Sequence, residues 1–376
     1  MKKIIFTVTN DLSYDQRMQR ICRSLANAGY SILLIGRKLD NSVALREKNF
    51  DQKRLRCLFN TGFLFYAEYN LRLFFYLLFI QMDAICAIDL DTILPCYFIS
   101  ALRRKKRIYD AHELFTEMKE VITRASVKKT WMRIEKFAVP KFKFGYTVSY
   151  SIAEEFKRRY NVSYEVICNM SVKKDMLQSP ETLRISLRSL ETSQSEKIIL
   201  YQGAVNEARG LENLVEAMKQ VDAILHIYGN GNLYKEIENL IEKNDLQNKI
   251  ILHGQVLPEA LQAITQQAYI GINLVEPIGL NQLYSLANKF FDYIHASVPQ
   301  ITMNFPEYKR MNDEFEVAVL IDTVDENEIA AALNLLLHNA VLYNKLQQNC
   351  KEAREKFNWQ QEEKKLITLY KNIFAD

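Results

Sequence analysis

The stretch KIILYQGAVNEARGLENLVEAM, residues 197–218, changes character twice. A short apolar, β-branched run ends at Gly203; a polar loop carries Arg209-Gly210; an amphipathic run follows with apolar residues at helical spacing. Strand, polar loop and helix in that order form one half of a β–α–β unit. Working outward, AILHIYG (223–229), KIILHGQ (249–255), YIGINLV (269–275) and AVLIDT (318–323) repeat the strand. Helical spacing recurs near 211–219, 232–243, 258–267 and 286–297. The first half has the same cadence: KKIIFTVT, SILLIG, DAICAID, KRIYDAH and FGYTVS alternate with amphipathic stretches near 15–28, 64–81, 92–102, 127–139 and 150–158. Near-continuous apolar strands alternating with helices predict parallel sheets covered on both faces. Two such series predict an α/β protein of two doubly wound domains. Ligands of such folds sit at the carboxyl ends of the strands, so the cleft between the domains is the expected active site.

At 376 residues the chain has room for two domains, and a composition 48% hydrophobic and 25% charged is that of a globular protein. The polar run MSVKKDMLQSPETLRISLRSLETSQS near 170–195 reads as a linker. The expected division is therefore 1–170, a linker over 171–195, a second domain over 196–357, and a terminal helix over 358–376. Six scattered cysteines with no ligand spacing, behind an N-terminus that runs straight into a strand, read as reduced cytoplasmic thiols. The net charge of +4 conceals an asymmetry: residues 1–180 hold 31 Lys and Arg against 18 Asp and Glu, a balance of +13, and the remainder balances at −9. The first half is expected to meet an anionic partner.

One residue of SLANKFFDYIHASVPQ (285–300) sits against the rules. With Asn288 or Ser285 as N-cap and Pro299 as a stop, Lys289 falls in the first turn of a helix, where the macrodipole disfavours a cation. Arg209 is expected at the start of the helix after Gly203. Two cations beside two sets of free N–H groups make a site for a pyrophosphate. Glu276, at the end of the strand YIGINLV, stands at the edge of the same region. Asp292, one turn on from Lys289, has the chemistry to accept two O–H bonds from a ribose diol. In YGNGN (228–232), Gly229 and Gly231 give a tight turn suited to a nearby base or ribose.

Other chemistries are absent or weak. There is no Walker loop, no GxSxG elbow and no paired His/Cys ligand set, so no metal site and no bound cofactor are expected. Asp89-x-Asp91 has the form of a cation clamp, but an Asp or Thr ahead of an apolar periodic run is more simply an N-cap, here Asp91 or Thr92.

YDAHELFTE (109–117), QGAVNEARGLENL, HIYGNGN, HGQV, EPIGL followed by SLANKFFDYIHASVP, and the terminal FNWQQEEKKLITLYKNI together resemble the GT-B-fold, nucleotide-sugar-dependent glycosyltransferases, closest to glycosyltransferase family 4. The resemblance covers nearly the whole chain. It implies two Rossmann-like domains, the first binding the acceptor and the second the nucleotide sugar, with the last helix packing back on the first domain. It also implies retention of anomeric configuration. Carried over residue by residue, it makes His112 and Glu276 catalytic and assigns the donor diphosphate to Gly203, Arg209 and Lys289. Gly229, Gly231, Gly254 and Asp292 fall to the nucleoside. Asn10, Asp11 and Glu113 fall to the acceptor side. Three departures stand out. The second Glu of the family's Glu-x7-Glu is Tyr284, the arginine after the phosphate-site glycine is Ala204, and the paired glycines of the first strand–helix turn are replaced by TNDLS (9–13).

The basic first half adds an address. LRRKKR (102–107) and the cations of 124–159 lie near FLFYAEYNLRLFFYLLFI (63–80), whose apolar run is shorter than the ~20 residues a span requires. Two arrangements fit: a buried helix beside a solvated basic turn at a helix C-terminus, or a peripheral dock on an anionic membrane that presents the active site to a lipid-linked acceptor. No recognition motif accompanies the charge, so nucleic acid is not expected. Two other readings share the same motifs: a nucleotide-sugar epimerase, and a non-catalytic nucleotide-sugar-binding subunit.

Overall fold

The computed structural model describes residues 1–13, 15–40, 42–173 and 197–375. Most of the expected linker therefore lies outside the described residues. The chain divides into two compact units. The first comprises Met1–Cys168, Gly279–Asn281 and Glu362–Asp376; the second comprises Asn169–Ile278 and Gln282–Gln361.

The first unit is built on a seven-stranded sheet. Its strands are β1 (Lys3–Thr7), β2 (Ser31–Lys38), β3 (Asp51–Arg56), β4 (Ala84–Ile88), β5 (Lys106–Ala111), β6 (Phe144–Thr147) and β7 (Glu165–Val166), in the order β3-β2-β1-β4-β5-β6-β7. Every pairing is parallel. Ile4, Ile5 and Phe6 of β1 are wholly buried, as an apolar strand covered on both faces must be. Two strands escape the sequence pattern. Strand β3, DQKRLR, is an edge strand protected by charge rather than by an apolar face, and β7 is two residues long.

The chain ends in this unit. In the terminal helix Trp359–Ala375, Tyr370 is wholly buried, with its ring 6.2 Å from both Phe6 and Tyr146. The Cys168 N–H donates to the Glu362 carboxylate at 2.7 Å, and Lys106 Nζ donates to the Ile373 carbonyl.

The second unit holds a six-stranded, all-parallel sheet, β8 (Ile198–Gln202), β9 (Ile224–Tyr228), β10 (Ile250–Gly254), β11 (Ile270–Asn273), β12 (Gln300–Met303) and β13 (Ala318–Ile321). Its order is β10-β9-β8-β11-β12-β13. Strand β12 follows directly on Pro299, and that proline reads in sequence as a stop rather than as the doorstep of a strand.

Both orders reverse once, between β1 and β4 in the first sheet and between β8 and β11 in the second. At such a switch point the loops after the two strands part to opposite faces and leave a crevice. The loops after β1, β4, β8 and β11 are where each unit's site is to be sought.

Candidate active site

In the second unit the loop after β8 is fixed from below by the loop after β9. The Gly203 N–H donates to the Tyr228 carbonyl at 2.9 Å and the Val205 N–H to the Asn230 carbonyl at 3.1 Å. The backbones touch. A Cβ on Gly229 (φ +151°) would sit 1.7 Å from the Gly203 carbonyl oxygen, and one on Gly231 would sit 2.2 Å from both the Asn206 amide oxygen and the Val205 carbonyl. The two glycines of YGNGN thus hold the β8 loop open by having no side chain. Gly229→Ala is expected to displace residues 203–206 and to cost more than about 3 kcal/mol, the scale of severe overpacking. Denaturant unfolding alongside nucleotide calorimetry would show it, and an unshifted midpoint would contradict the packing. Gly254, at φ +70° with nothing within 4 Å of a built Cβ, serves the turn alone.

Arg209 is half-buried between two residues in the left-handed region, Ala208 at φ 62° and Gly210 at φ 63°. The Glu276 N–H donates to the Ala208 carbonyl at 3.1 Å, so the loop carrying Arg209 and the loop after β11 are tied together across the switch point. Gly210 precedes helix α7 (Leu211–Ala217), counting the described α-helices in chain order.

The lysine helix, α11 (Asn288–Ala296), begins one residue earlier than a cap at Asn288 requires. Ala287 is the N-cap, with no side-chain hydrogen bond; its own N–H is taken by the Tyr308 hydroxyl at 3.0 Å. Asn288 is helical and exposed, and the Ser285 Oγ is buried without a partner, so neither expected cap acts. The first-turn N–H groups are therefore free of a side-chain cap. Lys289 does not snorkel outward. Its Nζ is buried, lies 3.9 Å from the Tyr201 ring centroid and has no hydrogen-bond partner. It is 3.5 Å from the position of a Cβ on Gly203. Burial, then the nearby Arg209 charge, pushes the ammonium down to about 7, and Asp292 offsets this only in part.

Asp292 faces inward. Ser171 Oγ donates to one carboxylate oxygen at 2.5 Å and Gln202 Nε2 to the other at 3.1 Å. Both oxygens are engaged by the protein, which suits a positioning residue for α11 better than an open ribose diol acceptor.

The sequence did not single out the ring stack beside these glycines. Tyr228 and His253 lie face to face, centroids 4.1 Å apart and 2° from parallel, and His253 Nε2 is 2.8 Å from His226 Nδ1. Burial and His253 push His226 down to about 4, so the pair shares a hydrogen bond as neutral imidazoles. The available signal was the period of two that puts His226 and Tyr228 on one face of a strand.

In the first unit His112 directly follows β5 and stands between two carboxylates. Its Nε2 is 3.0 Å from Asp110 Oδ2, and its Nδ1 is 3.9 Å from Asp89 Oδ2. Asp110 is wholly buried and also accepts from Arg17 at 3.2 Å. Burial opposes the Asp110 charge, but His112 and Arg17 outweigh it and hold the carboxyl below its ordinary value. Burial likewise opposes a charge on His112, and Asp110 with Asp89 overcomes it and raises the imidazole.

Asp89-x-Asp91 is not a helix cap. Helix α3 (Ile93–Leu102) has Thr92 as N-cap with no side-chain bond, because the Thr92 hydroxyl donates instead to the carbonyls of Thr7 and Ile88. Asp91 accepts from Thr9 Oγ1 at 2.5 Å, joining the loops after β1 and β4. Asp89 accepts the N–H groups of His112 (2.8 Å) and Glu113 (3.3 Å). It does so from φ 52°, ψ −179°, a region nearly reserved for glycine, so local strain is held at this switch point.

Of the expected acceptor-side residues, Asn10 and Glu113 line the adjoining cavity with Asp89 and Asp91. Asp11 does not. It is buried, bonded to Arg54 at 2.6 Å, to the Ser42 hydroxyl and to the Ser13 N–H at 2.9 Å, and it braces the turn TNDLS.

Residues 185–357 match the group 1 glycosyl transferases. An uncharacterized glycosyltransferase of Methanocaldococcus jannaschii is 24% identical over 162 residues, which is 43% of this chain and 44% of that protein. The chain thus spans less than half the length of this curated relative. Among solved structures, sucrose-phosphate synthase from Thermosynechococcus elongatus superposes with a TM-score of 0.78 at 18% identity, covering 100% of both chains. Anabaena HepE in complex with UDP and glucose gives 0.75 at 12% identity, covering 99% of this chain and 100% of that one. The chain has the GT-B fold, and over residues 185–357 it is similar to the group 1 glycosyl transferases.

Proposed function

We propose that the protein is a retaining glycosyltransferase that moves a sugar from a nucleoside-diphosphate sugar to a glycan or lipid-linked acceptor in surface polysaccharide or glycolipid synthesis. The observation that carries this reading is Lys289, a buried ammonium with no partner, placed against the Gly203 loop and the uncapped start of a helix. A buried cation of this kind needs an anion the chain does not supply. UDP bound to HepE is an anion of the kind that fits.

The reaction breaks the bond between the anomeric carbon and the β-phosphate oxygen, and the electron pair leaves with the phosphate. Arg209, Lys289 and the helix N–H groups stand where that charge grows, so no metal ion is required for it. The acceptor oxygen attacks from the same face, forms the new bond to the anomeric carbon and passes its proton to the departing phosphate. Glu276 faces the donor sugar; His112, held between Asp110 and Asp89, acts near the reacting centre from the acceptor side.

The acceptor's address is the outer surface of the first unit. Helices α2 (Gly62–Phe79), α3 and α5 (Ala125–Ala138) pack side by side. They expose Phe75, Phe79, Leu102, Met132 and Phe137, among the exposed cations Lys129, Arg133 and Lys136 of α5 and Arg104 in the turn after α3. Apolar rings among cations are what an anionic lipid surface binds. Among the described residues no helix is long and apolar enough to cross a membrane; the contact in this reading is peripheral, on the cytoplasmic face.

The test is a transfer assay with the nucleoside-diphosphate sugar whose diphosphate binds in calorimetry, run with and without vesicles rich in anionic lipid. Expected are a product that keeps the donor's anomeric configuration and sedimentation with the vesicles at low salt. Interconversion of the donor sugar with no acceptor present would instead identify an epimerase.

A further inference from the structure

The first unit contains a cavity of about 740 Å³, within the range of small-molecule sites. It opens at the switch point between β1 and β4, and its chemistry runs opposite to the surface around it. Residues 1–180 carry a balance of +13, yet the cavity is lined by Asp89, Asp91, Glu113 and Glu120 against one cation, Arg124. One wall is aromatic. The Trp131 ring meets Phe115 at 4.8 Å and Tyr66 at 5.3 Å, both edge to face, and this braced indole lines the space.

A polar atom also waits there. Asn70 is anchored through its Nδ2 to the carbonyls of Tyr66 (2.8 Å) and Asp91 (2.9 Å), while its Oδ1 is buried with no partner. An orphaned acceptor, ionisable carboxyls and a rigid ring face have one complement in common. That complement is a body with many O–H or N–H donors around an apolar C–H face, which is a sugar ring.

Resting on the glycosyl-transfer reading, we propose that this cavity is the subsite for the acceptor sugar. We further propose that it selects a ring that is neutral or bears an ammonium and rejects one bearing a carboxylate or phosphate. Asp91 and Asn70 take hydroxyl or ammonium donors, Trp131 takes the C–H face, and the carboxyls repel an anionic ring. Burial raises Asp91 to about 6 and Asp89 to about 8. Phe63 lines the cavity and is 78% exposed on the helix that carries Phe75 and Phe79, so the rim of the subsite is continuous with the membrane-facing helix.

The experiment uses the full chain and ligand-observed NMR with three probes at millimolar concentration: methyl glucoside, glucosamine and glucuronate. The first two are expected to bind, and glucuronate at least about tenfold more weakly. Trp131→Ala should weaken both ligands by about tenfold or more, with Trp131→Phe intermediate. Asp91→Asn should weaken glucosamine by about tenfold and bring glucuronate closer to it. UDP calorimetry on each variant should match the wild type, which shows that the chain is folded and the second unit intact. Equal or tighter glucuronate binding overturns the selectivity. Saccharide binding that is absent, or indifferent to Trp131→Ala and Asp91→Asn, in a protein that binds UDP and transfers sugar, overturns the subsite and leaves the glycosyl-transfer reading standing. Failure of the wild type to bind any nucleoside diphosphate sinks that reading instead.

Discussion

Lys289→Met is expected to act in opposite directions on the free and the ligand-bound protein. The substitution keeps the aliphatic stem beside Tyr201 and removes an ammonium that is buried with no hydrogen-bond partner. Replacing an unpaired buried charge by an apolar side chain of similar volume is stabilising on the order of 1–3 kcal/mol, so the free protein should resist denaturant better than the wild type. Removing the charged partner of a buried diphosphate costs about 2–5 kcal/mol, a loss of roughly thirtyfold to several thousandfold in affinity.

The pH dependence carries a sign. The folded-state value of about 7 lies below the ordinary lysine value of 10.5. Between these the unfolded chain binds more protons, so the free wild type gains stability as pH rises through this window. Lys289→Met should abolish that gain. The diphosphate demands the charged form, so binding above pH 7 should take up close to one proton, read from calorimetry in two buffers of different ionisation enthalpy. A variant that binds nucleotide as the wild type does, with the same proton uptake, would remove Lys289 from the site.

Why this lysine was legible and its neighbours were not comes down to the range of the interactions. A cation in a first helical turn breaks a rule written in local sequence, and Gly203, Gly229 and Gly231 announce a backbone turn locally. Among the described residues the alternating apolar runs disclosed ten of the thirteen strands, because burial on both faces leaves a continuous apolar trace. Strands β3, β7 and β12 lack that trace: one is charged, one has two residues, and one begins beside a proline. Asp292 is spoken for by Ser171 and Gln202, 121 and 90 residues away, and no spacing rule reaches so far. Asp89-x-Asp91 is ambiguous in principle, since the pattern that caps a helix also floors a cavity. Only the diversion of the Thr92 hydroxyl to two carbonyls decides between them. The His226–His253–Tyr228 stack arises where β9 meets β10 and the register shifts between Leu252 and Gly254, which is a property of the sheet.

In the first unit the largest effect is expected at Asp110, which holds two cationic groups at once. Arg17 and Asp110 are 5% and 0% exposed, and His112 closes the other side of the carboxylate. Asp110→Asn leaves the Arg17 guanidinium buried without its counter-charge, a loss of about 3–5 kcal/mol.

The pH profile identifies the pair. The folded carboxyl lies below its ordinary 3.8, so its contribution is present above that value and fades as pH falls through the lowered one. The folded imidazole lies above its ordinary 6.5, so its contribution is complete below 6.5 and fades as pH rises through the raised value. Between those two ordinary values both contributions are whole, and the first unit should be most stable there. Asp110→Asn should flatten both flanks, whereas His112→Gln should remove the alkaline one and weaken the acid one, which Arg17 then holds alone. Transfer activity should follow His112 in both variants, because the same carboxylate that stabilises the fold sets the charge and tilt of the ring. An Asp110→Asn protein that unfolds at the wild-type midpoint and keeps the alkaline flank would mean that Asp110 does not govern His112.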